Sequence, residues 1–212
     1  MSNQSSFQDR IDQIEKVEKE LIRKVAAGFG NPNLYHADMF VLGAVKRILA
    51  VSAGFRTLML LRNFTSSAGL VRMQLDTAAR LNGLRLVAVP EAFCEAVMSG
   101  QRYDKQKDRD GNLMKDSHLI KKLAEQHAWV SEVYTQTSGF VHLSDRHMWS
   151  SVSQIDEAEH TFHFNISATD TDRPDEHFFE ILECFFEATK IAGVAVLGYL
   201  EYRNRPAPTP TG

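Results

Sequence analysis

The chain has 212 residues, 43% of them hydrophobic, which is the content expected of a protein that buries a core within one domain. Its formal net charge of -3 gives no overall basic field, so binding of nucleic acid without sequence preference is not expected, and neither is DNA as a partner. The longest apolar run, from Ile191 to Leu200, is half of what a bilayer-spanning helix needs, so no membrane insertion is expected.

The two cysteines, Cys94 and Cys184, both lie in apolar stretches of helical character. The first residues lack the basic start and apolar run of a secretory signal. These features predict a reduced, cytoplasmic protein.

The pattern of apolar residues in the first half of the chain predicts three helices. An amphipathic helix runs to about Val25, and a second helix follows from Asn31 and Pro32 to about Arg62. The glycines inside the second helix, Gly43 and Gly54, have no phosphate-loop or dinucleotide spacing, so no cofactor is expected.

The third helix continues to the residues before Pro90 and carries a charged row, in which Arg72, Asp76 and Arg80 follow each other at four-residue intervals. If this row faces water, it is an ordinary ladder of ion pairs. If it faces the interior, its charges must find partners, and charges buried in this way often mark a site.

The second half contains shorter elements. A short helix from Pro90 to Met98 precedes a charged stretch, 101–116, which is predicted to be a mobile, solvated loop. A helix then runs from Asp116 toward Tyr134, and alternating residues predict a β-hairpin at about 149–167.

A last, strongly apolar helix opens near Pro174 and is expected to be central or an interface. The sequence thus predicts a mainly α fold, a helical bundle of five to seven helices with one small β-hairpin. Residues 1–203 form a single helical domain, and the Pro-rich tail, 204–212, is predicted to be disordered.

Polar residues concentrate between Tyr134 and Trp149. Tyr134, Ser138 and His142 recur at four-residue spacing and would share one stripe of a helix that continued through Gly139. Asp145, Arg146 and His147 follow.

If the hairpin folds back, His142 and His147 could meet His160 or His163 beside Asp145, which is a possible metal set, although no HExxH or CxxC motif is present.

Two segments carry a resemblance. LVRMQLDTAARLNGLRLV, and some fifty residues later VYTQTSGFVHLSDRH, resemble a family of mainly bacterial helical domains near the HEPN superfamily, over about residues 70–147. The resemblance implies a helical bundle, often dimeric, in a defence or toxin-antitoxin context. Active HEPN members cut RNA with an arginine and a histidine separated by four to six residues. This chain departs from that pattern, since Arg173 and His177 have only three residues between them.

These observations leave three functional hypotheses. The first is a HEPN-like interaction or regulatory domain, a cytoplasmic homodimer formed through its apolar helices or a binder of another protein. The second is an enzyme acting on RNA or nucleotides, with His142 as general acid or base, Arg72 or Arg146 on the phosphate, and Tyr134 and Asp76 orienting them. The third is a metal-binding domain using His142, His147 and a hairpin histidine.

Overall fold

Two long helices lie side by side at the centre of the fold and carry much of its buried apolar surface. They are α3 (Phe64–Gly83) and α8 (Asp175–Arg203). The computed structural model describes residues 2–30 and 33–205, with side chains from residue 7 onward. The last helix, expected to be central or an interface, is central. On this pair pack two further long helices, α1 (Ser2–Gly28) on α8 and α2 (His36–Leu60) on α3.

The remaining elements are short and surround this pair. They are α4 (Pro90–Met98) against α2, α5 (Asp116–Ala124) and α6 (Trp129–Ser138) against α3, then α7 (Asp145–Ser151) and the strands β1 (Val152–Asp156) and β2 (Thr161–Phe164). The mainly helical class with one small hairpin is therefore confirmed. The described residues form eight α-helices rather than five to seven, because the segment after residue 116 divides into α5 and α6 and because α7 precedes the hairpin.

Aromatic rings join the long helices in the core. Phe55 of α2 stacks on Phe185 of α8 with ring centroids 3.8 Å apart, and both side chains are fully buried. Burying a large apolar side chain contributes about 1.5–3 kcal/mol, so contacts of this kind hold the bundle together. Within the described residues, no helix combines the length and the apolar character needed to cross a membrane.

The start of α2 is set by side chains that accept its first amide hydrogens. The Glu91 carboxylate accepts from the backbone N–H of His36 at 2.8 Å and of Ala37 at 3.0 Å, and Asp38 accepts from Tyr35 N–H at 3.0 Å. These contacts satisfy donors that lack partners within the helix. The predicted start at Asn31 and Pro32 lies outside the described residues.

The charged loop before α5 is anchored to the body of the protein near its ends and also in its middle, where Asp108 is buried and the Arg109 backbone N–H donates to the Leu86 carbonyl at 2.9 Å. The prediction of a solvated loop was therefore wrong at these residues. Tyr103 and Met114 are buried, and the Tyr103 hydroxyl donates to the Arg80 carbonyl at 2.8 Å. The loop contains few apolar residues, but Tyr103 and Met114 pack against α3. This packing holds the N-terminus of α5 close to Arg80.

The hairpin stands apart from the helical core. Its strands are antiparallel, with Ile155 opposite Phe162 and Val152 opposite Phe164, and β1 contacts α7. Both phenylalanines are more than half exposed. The hairpin was expected to lie against the helices or to add to a partner's strand, because an isolated two-stranded sheet is marginally stable.

The end of α8 is tied to α1. Asn204, directly after the helix, donates from its side chain to the Gly28 carbonyl at 3.1 Å. The predicted disordered tail therefore does not begin at residue 204. The rest of that prediction, residues 206–212, lies outside the described residues.

Candidate functional site

The charged row of α3 faces a groove rather than open water. The side chains of Arg72, Asp76 and Arg80 are 16%, 20% and 32% exposed, so the row is largely covered. Asp76 lies at its centre, with Arg80 Nε 3.1 Å and an Arg72 guanidinium nitrogen 3.8 Å from its carboxylate oxygens. Of the two interpretations left open by the sequence, the structure favours the inward-facing one.

A third arginine reaches the same carboxylate from α2. An Arg47 guanidinium nitrogen lies 3.9 Å from Asp76, and Arg47 Nε donates to the Thr77 hydroxyl at 2.9 Å. This residue was missed by the sequence analysis, because its position depends on how α2 packs against α3. The sequence signal was weak, because Arg47 is one of several charged residues in a mainly apolar helix, beside Lys46 and Arg56.

Helix α6 supplies the wall next to Arg72. Arg72 Nε donates to the Ser138 hydroxyl at 3.2 Å, a second guanidinium nitrogen donates to the Tyr134 hydroxyl, and the guanidinium carbon lies 3.4 Å from the Tyr134 ring centroid. Burial raises the pKa of the Tyr134 phenol, and the Arg72 charge opposes part of that rise. The phenol is therefore neutral at physiological pH and acts as an acceptor that positions Arg72.

The opposite end of the row is held by α5. Arg80 donates to the Asp116 carboxylate at 2.8 Å, and its guanidinium carbon lies 4.8 Å from the Tyr103 ring centroid. Burial by itself would lower the pKa of Arg80, but Asp76 and Asp116 together raise that pKa. Arg80 is thus a permanently charged link between α3 and α5.

Two neighbouring cavities open along this row. The smaller one, about 240 Å³, is lined by Arg47, Arg72, Met73, Asp76, Arg80, Asp116, Ser138, Val141 and His142. The larger one, about 450 Å³, shares Arg47, Asp76 and Arg80 with it and extends over an apolar part of α2. We call the two cavities together the arginine groove. It is defined by Arg47, Arg72 and Arg80, which surround Asp76.

The structure brings most of the predicted site residues together. Arg72, Asp76 and His142 line the same cavity, and Tyr134 lies behind Arg72. The predicted stripe is wrong in detail, because α6 ends at Ser138 and His142 reaches the cavity edge from the following turn, where it is exposed.

Arg146 does not line the groove. Its guanidinium carbon lies 5.9 Å from the Phe140 ring centroid, and a Cβ added at Gly139 would meet Arg146 Cδ at 2.7 Å. Gly139 therefore allows a close approach of Arg146, and Arg72 is the better placed of the two phosphate-binding candidates.

The proposed metal set is not assembled. No group of three or more His, Cys, Asp or Glu side chains is positioned to hold a metal ion in the part of the chain that the structure describes. His147 instead accepts from the Ser144 backbone N–H at 3.3 Å and so helps to cap α7. The possible convergence of His142, His147 and a hairpin histidine beside Asp145 is therefore not found among the described residues.

In comparisons with known proteins, no protein-family model, no curated protein and no solved structure matches this chain. The geometry of the arginine groove itself is therefore the basis for inferring a function.

Proposed function

We propose that this chain is a HEPN-like helical interaction domain whose arginine groove binds a phosphate-bearing ligand, RNA or a nucleotide. The observation that carries this proposal is that three arginines from two helices surround a single carboxylate in an open groove. Guanidinium groups bind phosphate through paired, charge-assisted hydrogen bonds.

The arginines of the groove keep donors available for a ligand. The contacts of Arg72 and Arg47 with Asp76, at 3.8 and 3.9 Å, are longer than hydrogen bonds. Three arginines and the two carboxylates of Asp76 and Asp116 leave one net positive charge in the groove. A phosphate can therefore enter without displacing the close ion pairs of Arg80.

The test is equilibrium binding of a labelled short RNA and of AMP, measured by fluorescence anisotropy and calorimetry at low salt. Replacing Arg47 with glutamine removes one donor from the groove and weakens binding about tenfold, the effect of losing a hydrogen bond to a charged group. Arg23→Gln is the matched control, because the exposed Arg23 side chain pairs with Glu20 within α1 and does not line the groove. Equal affinity of the two variants discards the proposal.

A second candidate, an enzyme that cleaves RNA or nucleotides, is favoured by the position of His142 at the edge of the cavity that Arg72 lines. In this mechanism His142 acts as general acid or base while Arg72 holds the phosphate, with Asp76 and Tyr134 positioning Arg72. Incubation of RNA with the wild type, with His142→Ala and with the exposed hairpin control His163→Ala tests it. Cleavage lost only in His142→Ala supports the enzyme, and equal inertness of all three discards it.

We further propose that the protein is a cytoplasmic homodimer. The free thiols of Cys94 and Cys184 support the location. Most apolar side chains of α8 lie in the core, so the contact surface proposed is the exposed apolar surface around the hairpin: Leu143, Met148, Trp149, Ile155, Phe162, Phe164 and Ile166. A second copy presents the same surface and can cover it about a twofold axis. Light scattering of the wild type and of Phe162→Thr tests this, and a wild type at monomer mass discards the dimer.

A further inference from the structure

The larger cavity of the arginine groove has an apolar floor that phosphate binding does not use. Its α2 side consists of Met39, Phe40, Gly43 and Ala44, and Leu81 of α3 lies across from them. Phe40 is held in place by stacking against Tyr103, with ring centroids 6.2 Å apart. An apolar surface of this size directly beside three arginines suits a ligand that has both a flat apolar part and an anionic part.

Gly43 keeps this floor open. It lies in the interior of α2, where glycine destabilises a helix relative to alanine, and a Cβ added there would meet nothing within 4 Å. Close helix packing therefore does not explain it, unlike Gly83, whose added Cβ would lie 2.5 Å from the Tyr103 hydroxyl. Gly198 of α8 also has open space around it, so an unhindered glycine alone is no site. Gly43 differs because it lines the cavity beside the arginines.

We infer that the larger cavity holds the base of a nucleotide whose phosphate is bound by Arg72 and Arg47 in the smaller cavity. This inference rests on the proposed function, which requires only the phosphate. The 450 Å³ of the larger cavity lies within the usual range for small-molecule sites, and its shared lining with the smaller cavity makes the two parts continuous.

The surrounding side chains fit the faces and edges of a base. Met39 is 52% exposed, and its flexible thioether can close over one face of a bound ring. A side-chain oxygen of Asp76 lines both cavities and can accept a hydrogen bond from an exocyclic amino group, a role that the amide oxygen of asparagine can also fill. The Thr77 hydroxyl is already engaged, since it donates to the Met73 carbonyl and accepts from Arg47.

The test compares AMP, ribose 5-phosphate and a six-residue adenylate RNA by calorimetry on the full chain. AMP is expected to bind the wild type at least about tenfold more tightly than ribose 5-phosphate, because only AMP fills the apolar cavity. The RNA arm distinguishes a free nucleotide from one residue of a strand: stronger binding of RNA than of AMP indicates the strand. Once AMP binds more tightly than ribose 5-phosphate, either result of that arm is consistent with the base site, and the RNA arm alone does not support it.

The decisive variant is Gly43→Leu, which fills the cavity from an unhindered helical position. It is expected to weaken AMP binding at least about tenfold and to leave ribose 5-phosphate binding unchanged. Gly198→Leu is the matched control, since it makes the same substitution at an exposed helical glycine in open space outside both cavities. Circular dichroism confirms that both variants fold, and the Met39 methyl resonance reports independently on AMP in the wild type.

The outcomes separate the two proposals. Equal binding of AMP and ribose 5-phosphate by the wild type, or full AMP binding by Gly43→Leu, overturns the base site and leaves phosphate binding intact. If the wild type binds none of the three compounds, the proposed function itself fails, and the base site fails with it.

Discussion

Replacing Asp76 with asparagine is predicted to strengthen ligand binding while weakening the fold. The substitution keeps the shape of the side chain but removes the negative charge that three arginines surround, at 3.1, 3.8 and 3.9 Å. The charge of the groove then rises from one net positive to two. Arg72 and Arg80 lose a partner, but they become freer to bind phosphate.

The magnitude follows from Coulomb's law. A phosphate bound by the same guanidinium groups would lie roughly 6 Å from the Asp76 carboxylate, where the repulsion between two unit charges is about 0.7 kcal/mol at the dielectric constant of water, about 80, and about 2.8 kcal/mol at the value of about 20 for a protein surface. Removing it tightens binding about tenfold. The loss of stability is about 1–2 kcal/mol, between the values for exposed and for buried ion pairs, because the ion pairs of Asp76 are largely but not fully covered.

The assay measures AMP affinity by calorimetry and the unfolding free energy by urea denaturation, for the wild type and Asp76→Asn. Opposite signs are expected, namely tighter binding and a less stable protein. Weaker or unchanged AMP binding by a folded variant would refute the placement of the phosphate beside Asp76. The same variant separates the functional candidates, since an enzyme that needs Asp76 to position Arg72 loses turnover while it gains affinity.

Three further predictions concern the rest of the protein. Asp38→Ala is predicted to lower the unfolding free energy by about 3 kcal/mol in urea denaturation, because it leaves the buried Arg203, 2.7 Å away, without its carboxylate partner; a loss below about 1 kcal/mol contradicts this. Burial by itself raises the pKa of Asp108, but hydrogen bonds from neighbouring side chains and backbone amides lower that pKa below the ordinary value. The ionised Asp108 therefore stabilises the folded protein fully above the pKa of the unfolded state, and this contribution is lost as the pH falls toward the pKa of the folded state. Unfolding free energies measured between about pH 5 and pH 2 are therefore expected to fall less steeply for Asp108→Asn than for the wild type. Burial raises the pKa of the Cys94 thiol to about 12 and that of Cys184 to about 11, so iodoacetamide at about pH 8 should label them quickly only after unfolding, as mass spectrometry can measure.

The helices could be predicted because their signals are local. Apolar spacing and the Pro90 start gave α4 its correct bounds and gave the long helices their approximate extent. The division between α5 and α6 could not be predicted, because apolar residues such as Trp129 and Val130 continue the helical pattern across it. The alternation of apolar and polar residues predicted the hairpin, but this pattern contains no information about which part of the protein covers the faces of the hairpin.

The candidate site could be predicted only where one helix supplies it. The spacing of Arg72, Asp76 and Arg80 identified one wall, and Tyr134 and His142 were found as polar residues near a helix end. The contribution of Arg47 depends on the packing of α2 against α3, which is a contact between distant parts of the chain. The position of Arg146 also depends on packing that the sequence does not show. Arg146 is close in sequence to His142 but packs beside Phe140, outside the groove.

The central claim is that phosphate binds at the arginine groove, and nuclear magnetic resonance of arginine side chains tests it most directly. AMP is titrated into the labelled protein while the Nε–H resonances of Arg47, Arg72 and Arg80 are followed, with exposed Arg23 and Arg102 as internal references. Saturable shifts at the three groove arginines, absent from the two references, are the predicted result. Unchanged groove resonances at saturating AMP, or shifts of equal size at all five arginines, would contradict the account.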